Sequence, residues 1–451
     1  MTCQHDELAA IADADRRASD YVAGVTTRRV FPSAEAIAAL SRFEEAWPEQ
    51  GEGVADTIAL LNDVGSPATT ASNGPRYFGF VIGAALPAAA AAERLMLAWD
   101  QCASSFDNSP VAATVEKQAG KWVLEALDLP RDSAVGFGTS ATACTLACLA
   151  AARRVLLARA GWDLDDDGLT GSPEIRVMVS EATHVTVKKA LRILGFGAKR
   201  LLLAPVDAYG RIDPEWLPPL DDRTILCLQA GEVNTGEFDP FEALIAKARA
   251  AGSWVHVDGA FGIWARASRK TRSLTAGVED ADSWTTDGHK WLNTPYDGAM
   301  AICRHAEALA QTMNSDASYA SAAADAQKNL TLEFSRRARG IPVWAALRTL
   351  GKTGVEAMVD RHVGQASRLA ERLRNAGYQV LNRVVLNQVL VRGRDDADTL
   401  RIIAAAQSSG EVWFGQTLWQ GRPAFRLSLS SWRTTDAAVD ALAEVLIRLR
   451  E

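Results

Sequence analysis

The sequence has little of what marks a nucleic-acid-binding, membrane or secreted protein. Its 48 lysines and arginines are interspersed with 55 aspartates and glutamates, which gives a net charge of −7. That balance leaves no basic face for nucleic acid and no polybasic anchor for a membrane. The N-terminus lacks the basic-then-apolar pattern of a signal peptide, and Pro87 interrupts the alanine-rich run at 84–92. We therefore expect a cytoplasmic protein without nucleic-acid or membrane partners.

Cysteine and histidine are also scarce, at six residues each. The cysteines form no Cys-x-x-Cys pair and no Cys/His cluster with zinc spacing, so we expect no metal site. Free buried thiols are the expected state, in agreement with a reducing compartment. With 451 residues, 48% of them hydrophobic, the chain is long enough for a substantial core and two domains.

Two stretches carry residues that suit chemistry. The run 253–262 is an apolar strand that ends on Asp258, followed by Gly259, and a carboxylate at the end of a strand lies where open α/β sheets bind ligands. The second stretch, 281–298, reads as a buried strand that leads into a loop carrying Lys290. An amine and a carboxylate at neighbouring strand ends suit pyridoxal phosphate, whose aldehyde condenses with lysine and whose ring nitrogen needs a carboxylate partner.

The sequences Val-Asp-Gly-Ala-Phe-Gly at 257–262 and Thr-Asp-Gly-His-Lys-Trp at 286–291 resemble the group II pyridoxal-phosphate-dependent decarboxylases, the family of the aromatic amino acid and glutamate decarboxylases. The resemblance extends over about residues 73–432. It implies the aspartate aminotransferase fold (fold type I), pyridoxal 5'-phosphate as cofactor, and a Schiff base on Lys290. The alternative interpretation makes Asp258 a helix cap and Lys290 a surface residue.

The apolar pattern predicts an α/β fold with three parts. Residues 1–72 read as an N-terminal helical segment, with helices at 7–23 and 34–45. The resemblance implies that this segment packs on the partner subunit of a dimer. Residues 73–345 form the large cofactor-binding domain, in which strands at 175–179, 200–204, 224–228 and 254–257 alternate with helices and predict a mostly parallel sheet covered on both faces. A strand at 299–303 is expected to close this sheet. Residues 346–451 form a smaller α+β domain.

The resemblance assigns further residues to the cofactor. A strand, a turn and a helix start at 133–143 make an anion site, where the family holds the cofactor phosphate. His184 matches a histidine that stacks on the pyridine ring and bounds the substrate carboxylate site; it is a catalytic candidate with Lys290 and Asp258. The remaining cofactor candidates are Thr139, Ser140, Ala141, Gln229, Ala260, Asp287 and His289.

The substrate candidates are Phe80, Val81, Ile82 and Arg426. The first three lie in an aromatic and glycine-rich stretch that forms the pocket wall in the resembled family, although a hydrophobic plug between domains is equally compatible. Arg426 matches a family arginine near the active site, and a strand-edge salt bridge is its alternative. Glu232 stands where the commoner family pattern has threonine, which bears on substrate choice. The apolar side chains at 80–82 favour an aromatic or other apolar substrate, whereas an arginine reaching in from a loop would select an acidic one.

The sequence therefore predicts decarboxylation of an L-amino acid to its amine and CO2 by a homodimer. Two alternatives remain: an oxidative decarboxylation that gives an aldehyde, and a non-catalytic pyridoxal-phosphate-binding protein. The first arises because the family commonly protonates its product from a loop tyrosine, whereas residues 320–343 contain none. Gln327 falls near the expected place, with Tyr319 just upstream, and a neutral glutamine cannot act as a general acid.

Overall fold

The computed structural model describes residues 4–314 and 326–450. A seven-stranded sheet forms the large domain, with the order β1-β7-β6-β5-β4-β2-β3. All of its strands run parallel to one another except β7, which is antiparallel to both of its neighbours. The strands are β1 Ala134–Gly138, β2 Arg176–Ser180, β3 Leu202–Ala204, β4 Thr224–Gln229, β5 Trp254–Asp258, β6 Ser283–Asp287 and β7 Ala299–Cys303.

The apolar strands of this sheet are covered by helices, as expected for parallel strands. The first helix after β1 is an inner core helix, and much of its surface is buried. It is also the only helix in the described part of the chain that is long and apolar enough to cross a membrane, but 61% of its apolar window is buried inside the protein. The helices are α1 Gln4–Gly24, α2 Ala34–Ala38, α3 Val54–Leu60, α4 Pro87–Trp99, α5 Pro110–Ala126, α6 Ala141–Arg159, α7 Leu164–Asp167, α8 Val185–Ile193, α9 Phe241–Ala250, α10 Ala306–Met313, α11 Gly340–Asn375, α12 Asp396–Ser409 and α13 Asp436–Arg450.

A second, antiparallel sheet lies in the C-terminal part of the chain and has its own hydrophobic core. Helix α11 connects the two parts, and its backbone leaves the helical region at Gly351 (φ 59°). The predicted domain boundary after residue 345 falls inside this helix and stays a prediction. The strands of the second sheet are β8 Gln379–Val380, β9 Gln388–Arg392, β10 Gly415–Trp419 and β11 Arg422–Ser428, in the order β10-β11-β9-β8.

The mostly parallel sheet and the smaller α+β part confirm the predicted fold class, and two local predictions are wrong. Strand β7 does not close the sheet, because it pairs with β1 on one side and β6 on the other. A single helix was expected at 34–45. The α-helix there ends at Ala38, and a 3₁₀ helix, Ala39–Phe43, follows it. None of these residues is buried, so no packed apolar face sustains a longer regular helix.

Candidate active site

The carboxyl ends of β4, β5 and β6 bring three polar side chains to one edge of the large sheet. Gln229 ends β4 and lies directly opposite Asp258, the last residue of β5. Asp258 is in turn paired with Thr285 of β6, and Asp287 ends that strand. Because β4, β5 and β6 are parallel, their ends meet at the edge where open sheets bind ligands.

Asp258 is a carboxylate in an environment that disfavours its charge. One of its oxygens accepts the Ala260 N–H at 3.1 Å. Burial raises the pKa of this carboxyl, while the nearby charges of His184 and Lys290 oppose the rise. Both of the other predicted catalytic residues therefore lie close enough to Asp258 to change its ionisation, as expected for a functional carboxylate.

His184 begins helix α8 and caps it with its own ring. Its Nδ1 atom accepts the Thr186 backbone N–H at 3.4 Å and lies 2.7 Å from the Thr186 hydroxyl oxygen. Accepting the N–H requires an unprotonated Nδ1, so we assign the ring proton to Nε2. Burial lowers the pKa of His184 and Asp258 opposes this effect. The structure therefore places a neutral, oriented imidazole next to the carboxylate.

Lys290 lies on a loop whose backbone is held by its own turns. The Gly288 N–H donates to Gly298 O at 2.9 Å, and the Thr294 N–H donates to Gly288 O at 3.0 Å. The lysine side chain is 21% exposed, and its Nζ lies 3.1 Å from Oδ2 of Asp287. The interpretation of Lys290 as a surface residue does not fit this partly buried, paired amine.

The N-terminus of α6 faces the same loop. Ser140 is the N-cap, and its hydroxyl accepts the Ala143 N–H at 3.4 Å. The Ala141 N–H donates to Oδ1 of Asp287 at 2.7 Å. Thr139 and Ser140 are both partly exposed. The predicted phosphate residues thus lie beside the lysine loop, with N–H groups free of helical partners, as in other anion sites.

Asn293 was missed by the sequence analysis although it fixes the lysine loop to the rest of the protein. Its Nδ2 donates to Trp291 O at 2.7 Å and to Ser430 O at 2.9 Å. Its Oδ1 accepts the Trp432 N–H at 2.8 Å. The only local signal is that asparagine tolerates the left-handed backbone found here (φ 59°). Its partners come from distant segments, so the sequence alone could not identify them.

The predicted pocket wall at 80–82 is brought next to the lysine loop. A Cβ on Gly83 would lie 2.3 Å from the Lys290 carbonyl oxygen, so only glycine fits this approach. Phe80 and Val81 both have positive φ angles, of 53° and 58°. Val81 is buried in the main core and Ile82 is partly buried, whereas Phe80 is 55% exposed and packs on Trp413. The burial of Val81 agrees with the alternative that this stretch is a hydrophobic plug. Contact of residues 80–82 with the substrate stays a prediction.

Arg426 is a buried cation without a carboxylate partner at ion-pairing distance among the described residues. It lies on β11, which pairs with a strand on each side and is therefore not an edge strand. The alternative of a strand-edge salt bridge does not fit this position. Its Nη1 donates to Val233 O at 2.8 Å, and its buried Nε has no partner among the described residues. Burial lowers its pKa, with the Glu232 charge opposing. Such a guanidinium is suited to an incoming carboxylate.

The residues at this edge fit pyridoxal phosphate. Gln229 Nε2 and His289 Nδ1 are buried and have no hydrogen-bond partner in the described part of the chain. Buried polar atoms of this kind are uncommon and indicate a missing partner. A carboxylate, a neutral imidazole, an amine and a helix N-terminus together supply what the ring nitrogen, the ring face, the aldehyde and the phosphate of this cofactor require.

A lysine and a carboxylate at the carboxyl edge of this mixed sheet are typical of fold type I pyridoxal-phosphate enzymes. Residues 38–391 match the family model described as the pyridoxal-dependent decarboxylase conserved domain. The chain belongs to this family, and its cofactor is pyridoxal phosphate. Both the resemblance and the cofactor predicted from the sequence are confirmed.

Relatives and a solved structure agree with this assignment. The chain is 28% identical to L-2,4-diaminobutyrate decarboxylase of Rhizobium meliloti (strain 1021), covering 88% of this chain and 82% of the relative. It is 24% identical to tryptophan decarboxylase 2 of Oryza sativa subsp. japonica, covering 97% and 93%. The crystal structure of Oryza sativa TDC with PLP and tryptamine has a TM-score of 0.91 at 22% identity, covering 99% and 98%. The protein is a pyridoxal-phosphate-dependent amino acid decarboxylase, and the aldehyde-forming alternative is not favoured.

Proposed function

We propose that this decarboxylase binds its cofactor through Lys290 and acts on an L-amino acid with an aromatic or other apolar side chain. The observation that carries the proposal is the convergence of Lys290, Asp258 and His184, each of which perturbs the ionisation of another. Perturbed groups gathered at a sheet edge are typical of active sites. The identity of each site residue rests on this geometry and on the motifs at 257–262 and 286–291.

When bound, the cofactor supplies an electron sink for the electrons of the bond to the departing carboxylate. Asp258 would hold a proton on the ring nitrogen, since a carboxylate in a poorly solvated site gains most from a cationic partner. His184, neutral and oriented by Thr186, would lie against the ring and present Nε2–H to the substrate carboxylate. Gln229 would donate from its unpartnered Nε2 to an oxygen of the cofactor.

The substrate class follows from the charges near the site. Arg426 offers a guanidinium to the substrate's α-carboxylate, and Phe80 offers an exposed aromatic ring. A cationic substrate side chain would need a free carboxylate, and Glu232 is the carboxylate whose charge raises the pKa of Arg426 against the effect of burial. Its Oε2 already accepts the Asn234 and Thr235 backbone N–H groups at 2.7 Å each, its Oε1 accepts Asn234 Nδ2 at 2.9 Å, and the residue is 2% exposed. An apolar side chain therefore fits better than a diamino acid.

The test is to incubate the loaded enzyme with the twenty amino acids, 2,4-diaminobutyrate and the related sulfinates, and to measure CO2 and amine. We expect aromatic substrates to react fastest. Aldehyde and peroxide formed in place of amine would contradict the proposal, and so would binding of cofactor without turnover of any substrate. Borohydride reduction and peptide mass mapping should place the pyridoxyl group on Lys290, and its appearance on another lysine would overturn the site assignment.

We also propose that the active unit is a homodimer. Helix α4, the segment that follows it and the start of α5 expose large apolar side chains that a monomer would leave in water. Light scattering of the loaded enzyme should give twice the chain mass, and a fully active monomer would refute this proposal. Cytoplasmic localisation stays a prediction from the sequence. These exposed residues are Leu95, Leu97, Trp99, Phe106 and Val111.

A further inference from the structure

Asp287 occupies the position at which the cofactor phosphate is expected. Its carboxylate accepts the Ala141 N–H at the start of α6 (2.7 Å) and pairs with Lys290 Nζ (3.1 Å). His289 Nε2 lies 3.7 Å from the same carboxylate. Asp287 is 3% exposed, so these partners replace the water that the carboxylate would otherwise bind.

These are the groups that a phosphate would use. A helix N-terminus attracts an anion through its unpaired N–H groups and its dipole, and α6 is long enough, from Ala141 to Arg159, for this effect to be substantial. A carboxylate side chain and a phosphate cannot both accept the Ala141 N–H in a straight hydrogen bond. Two anions in one poorly solvated site also repel each other.

We propose that Asp287 is an internal anion that fills the phosphate site of the cofactor-free protein and is displaced when the cofactor binds. The inference rests on the proposed assignment of the α6 N-terminus to the phosphate. Asp287 is thus a positioning residue, since it neutralises Lys290 and satisfies α6 until the cofactor arrives. Loading then requires the carboxylate to leave the Ala141 N–H and the lysine to leave its ion pair.

His289 provides a place for the displaced carboxylate. Its ring is 7% exposed and stacks on Tyr296 with centroids 4.4 Å apart, which fixes the ring orientation. Its Nε2 already faces Asp287, so a small side-chain rotation would exchange the Ala141 N–H for the imidazole. The carboxylate would still lie near the phosphate, and its charge would weaken the binding of the doubly charged cofactor.

The decisive comparison uses Asp287→Asn, which keeps the shape and removes the charge. Dissociation constants are measured for the cofactor-free protein with pyridoxal phosphate and with pyridoxal, which lacks the phosphate, by absorbance and tryptophan fluorescence. Both ligands condense with the lysine, so changes at Lys290 affect both alike. We expect the variant to increase the ratio of the pyridoxal to the pyridoxal phosphate dissociation constant by about 10-fold or more, since removing one charge from a close pair has an effect of this order.

Asp282→Asn is the matched control, because Asp282 lies at the other end of β6 and should leave the ratio unchanged. The same increase in the ratio is expected for Asp287→Ser, which has a smaller side chain. This variant replaces Asp287→Asn if circular dichroism shows that the cofactor-free Asp287→Asn protein does not fold. An unchanged or decreased ratio in the folded variants would overturn the inference while leaving the site assignment intact. If the folded Asp287 variants as well as the wild type bound both ligands equally, the phosphate assignment would fail, and the inference with it.

Discussion

The two ends of the central strands differ in how their buried polar groups are partnered. At the amino ends, beside Ser283, polar side chains bond to one another or to backbone. At the carboxyl ends, beside Asp287, two buried nitrogens, Gln229 Nε2 and His289 Nδ1, lack partners among the described residues. Both ends contain histidine and aspartate, so residue type alone does not separate a structural cluster from a functional one.

The amino-end cluster is largely satisfied within the protein. Asp282 accepts the Val255 N–H and a His305 Nε2 contact, both at 2.8 Å. The Ser283 hydroxyl lies 3.0 Å from Trp254 Nε1 and 2.9 Å from His256 Nδ1. Burial lowers the pKa of His256 to about 3, so its ring is neutral. These groups hold the sheet together and leave only His256 Nε2 without a partner among the described residues.

The carboxyl-end cluster is arranged for a ligand. Gln229 and His289 each leave a buried nitrogen without a partner, and burial raises the pKa of the Asp258 carboxyl. A protein fold rarely keeps such groups unless a bound molecule completes them. The comparison teaches that titratable residues alone do not identify the site, and that unpartnered buried nitrogens gathered beside a lysine and a carboxylate do more to mark it.

The largest expected effect comes from Asp258→Asn. The ring nitrogen would lose its carboxylate, and breaking a buried charge pair typically costs about 3 to 5 kcal/mol. We expect kcat to fall about 100- to 1,000-fold or more, at 1.36 kcal/mol for each factor of ten. Steady-state kinetics of the cofactor-saturated variant measures this effect.

The control for this variant is Asp282→Asn at the opposite end. It should lower the free energy of unfolding by about 1 to 3 kcal/mol, because it disrupts buried hydrogen bonds. The kcat of the folded enzyme should stay within about twofold, since no reacting group is affected. Equal losses of kcat in the two variants would break the distinction between the two ends.

Much of this arrangement is predictable from local sequence, and the confirmed family, cofactor and fold class rested on two short motifs. Asp258 ends one clearly apolar strand and Lys290 follows another, so the sequence alone could predict that both lie at the edge of the sheet. Strand order is decided by tertiary pairing, and β7 shows this, since its bounds of Ala299–Cys303 were predicted but its place between β1 and β6 was not. No local pattern records which strand becomes a neighbour.

The contacts that complete the site are likewise non-local. Asp287 meets the Ala141 N–H, and Asn293 meets Ser430, across long stretches of chain. Trp291 Nε1 donates to His362 Nδ1 at 2.7 Å, which ties the lysine loop to α11. Neither partner carries a sequence signal for the other. The loop residue Tyr319 lies outside the described residues, and its role as a proton donor stays a prediction.

A second prediction uses the pH dependence of stability to test His256, at the amino ends of the strands. The pKa of His256 falls from an ordinary value of 6.5 to about 3 on folding, so the unfolded chain binds a proton between these values and the folded protein does not. The stability linked to this group is present above pH 6.5 and is lost as the pH falls towards 3. Between these two pKa values the free energy of unfolding falls by up to about 1.4 kcal/mol for each pH unit.

His256→Asn should therefore reduce the acid sensitivity of unfolding, because asparagine can still bond to Ser283 but does not titrate. Urea unfolding at several pH values between 4 and 7 would give the dependence of the free energy of unfolding on pH for each protein, and we expect the two slopes to differ by about 1 kcal/mol per pH unit. We expect the variant to be less stable than the wild type at pH 7 and closer to it at pH 4. Parallel pH profiles for the two proteins would contradict the prediction.

The smallest expected effect tests the carboxyl end directly. Gln229→Met removes the buried amide whose Nε2 has no partner among the described residues, and it keeps a side chain of similar length. An unsatisfied buried polar group costs about 1 to 3 kcal/mol, so the cofactor-free variant should be as stable as the wild type or more stable by about 1 kcal/mol. The variant should bind the cofactor about 5- to 10-fold more weakly than the wild type, since one hydrogen bond to the cofactor is lost.

Thermal unfolding with and without cofactor measures both effects. Destabilisation of the cofactor-free protein would show that Gln229 serves the fold, as the amino-end residues do, and would remove it from the site.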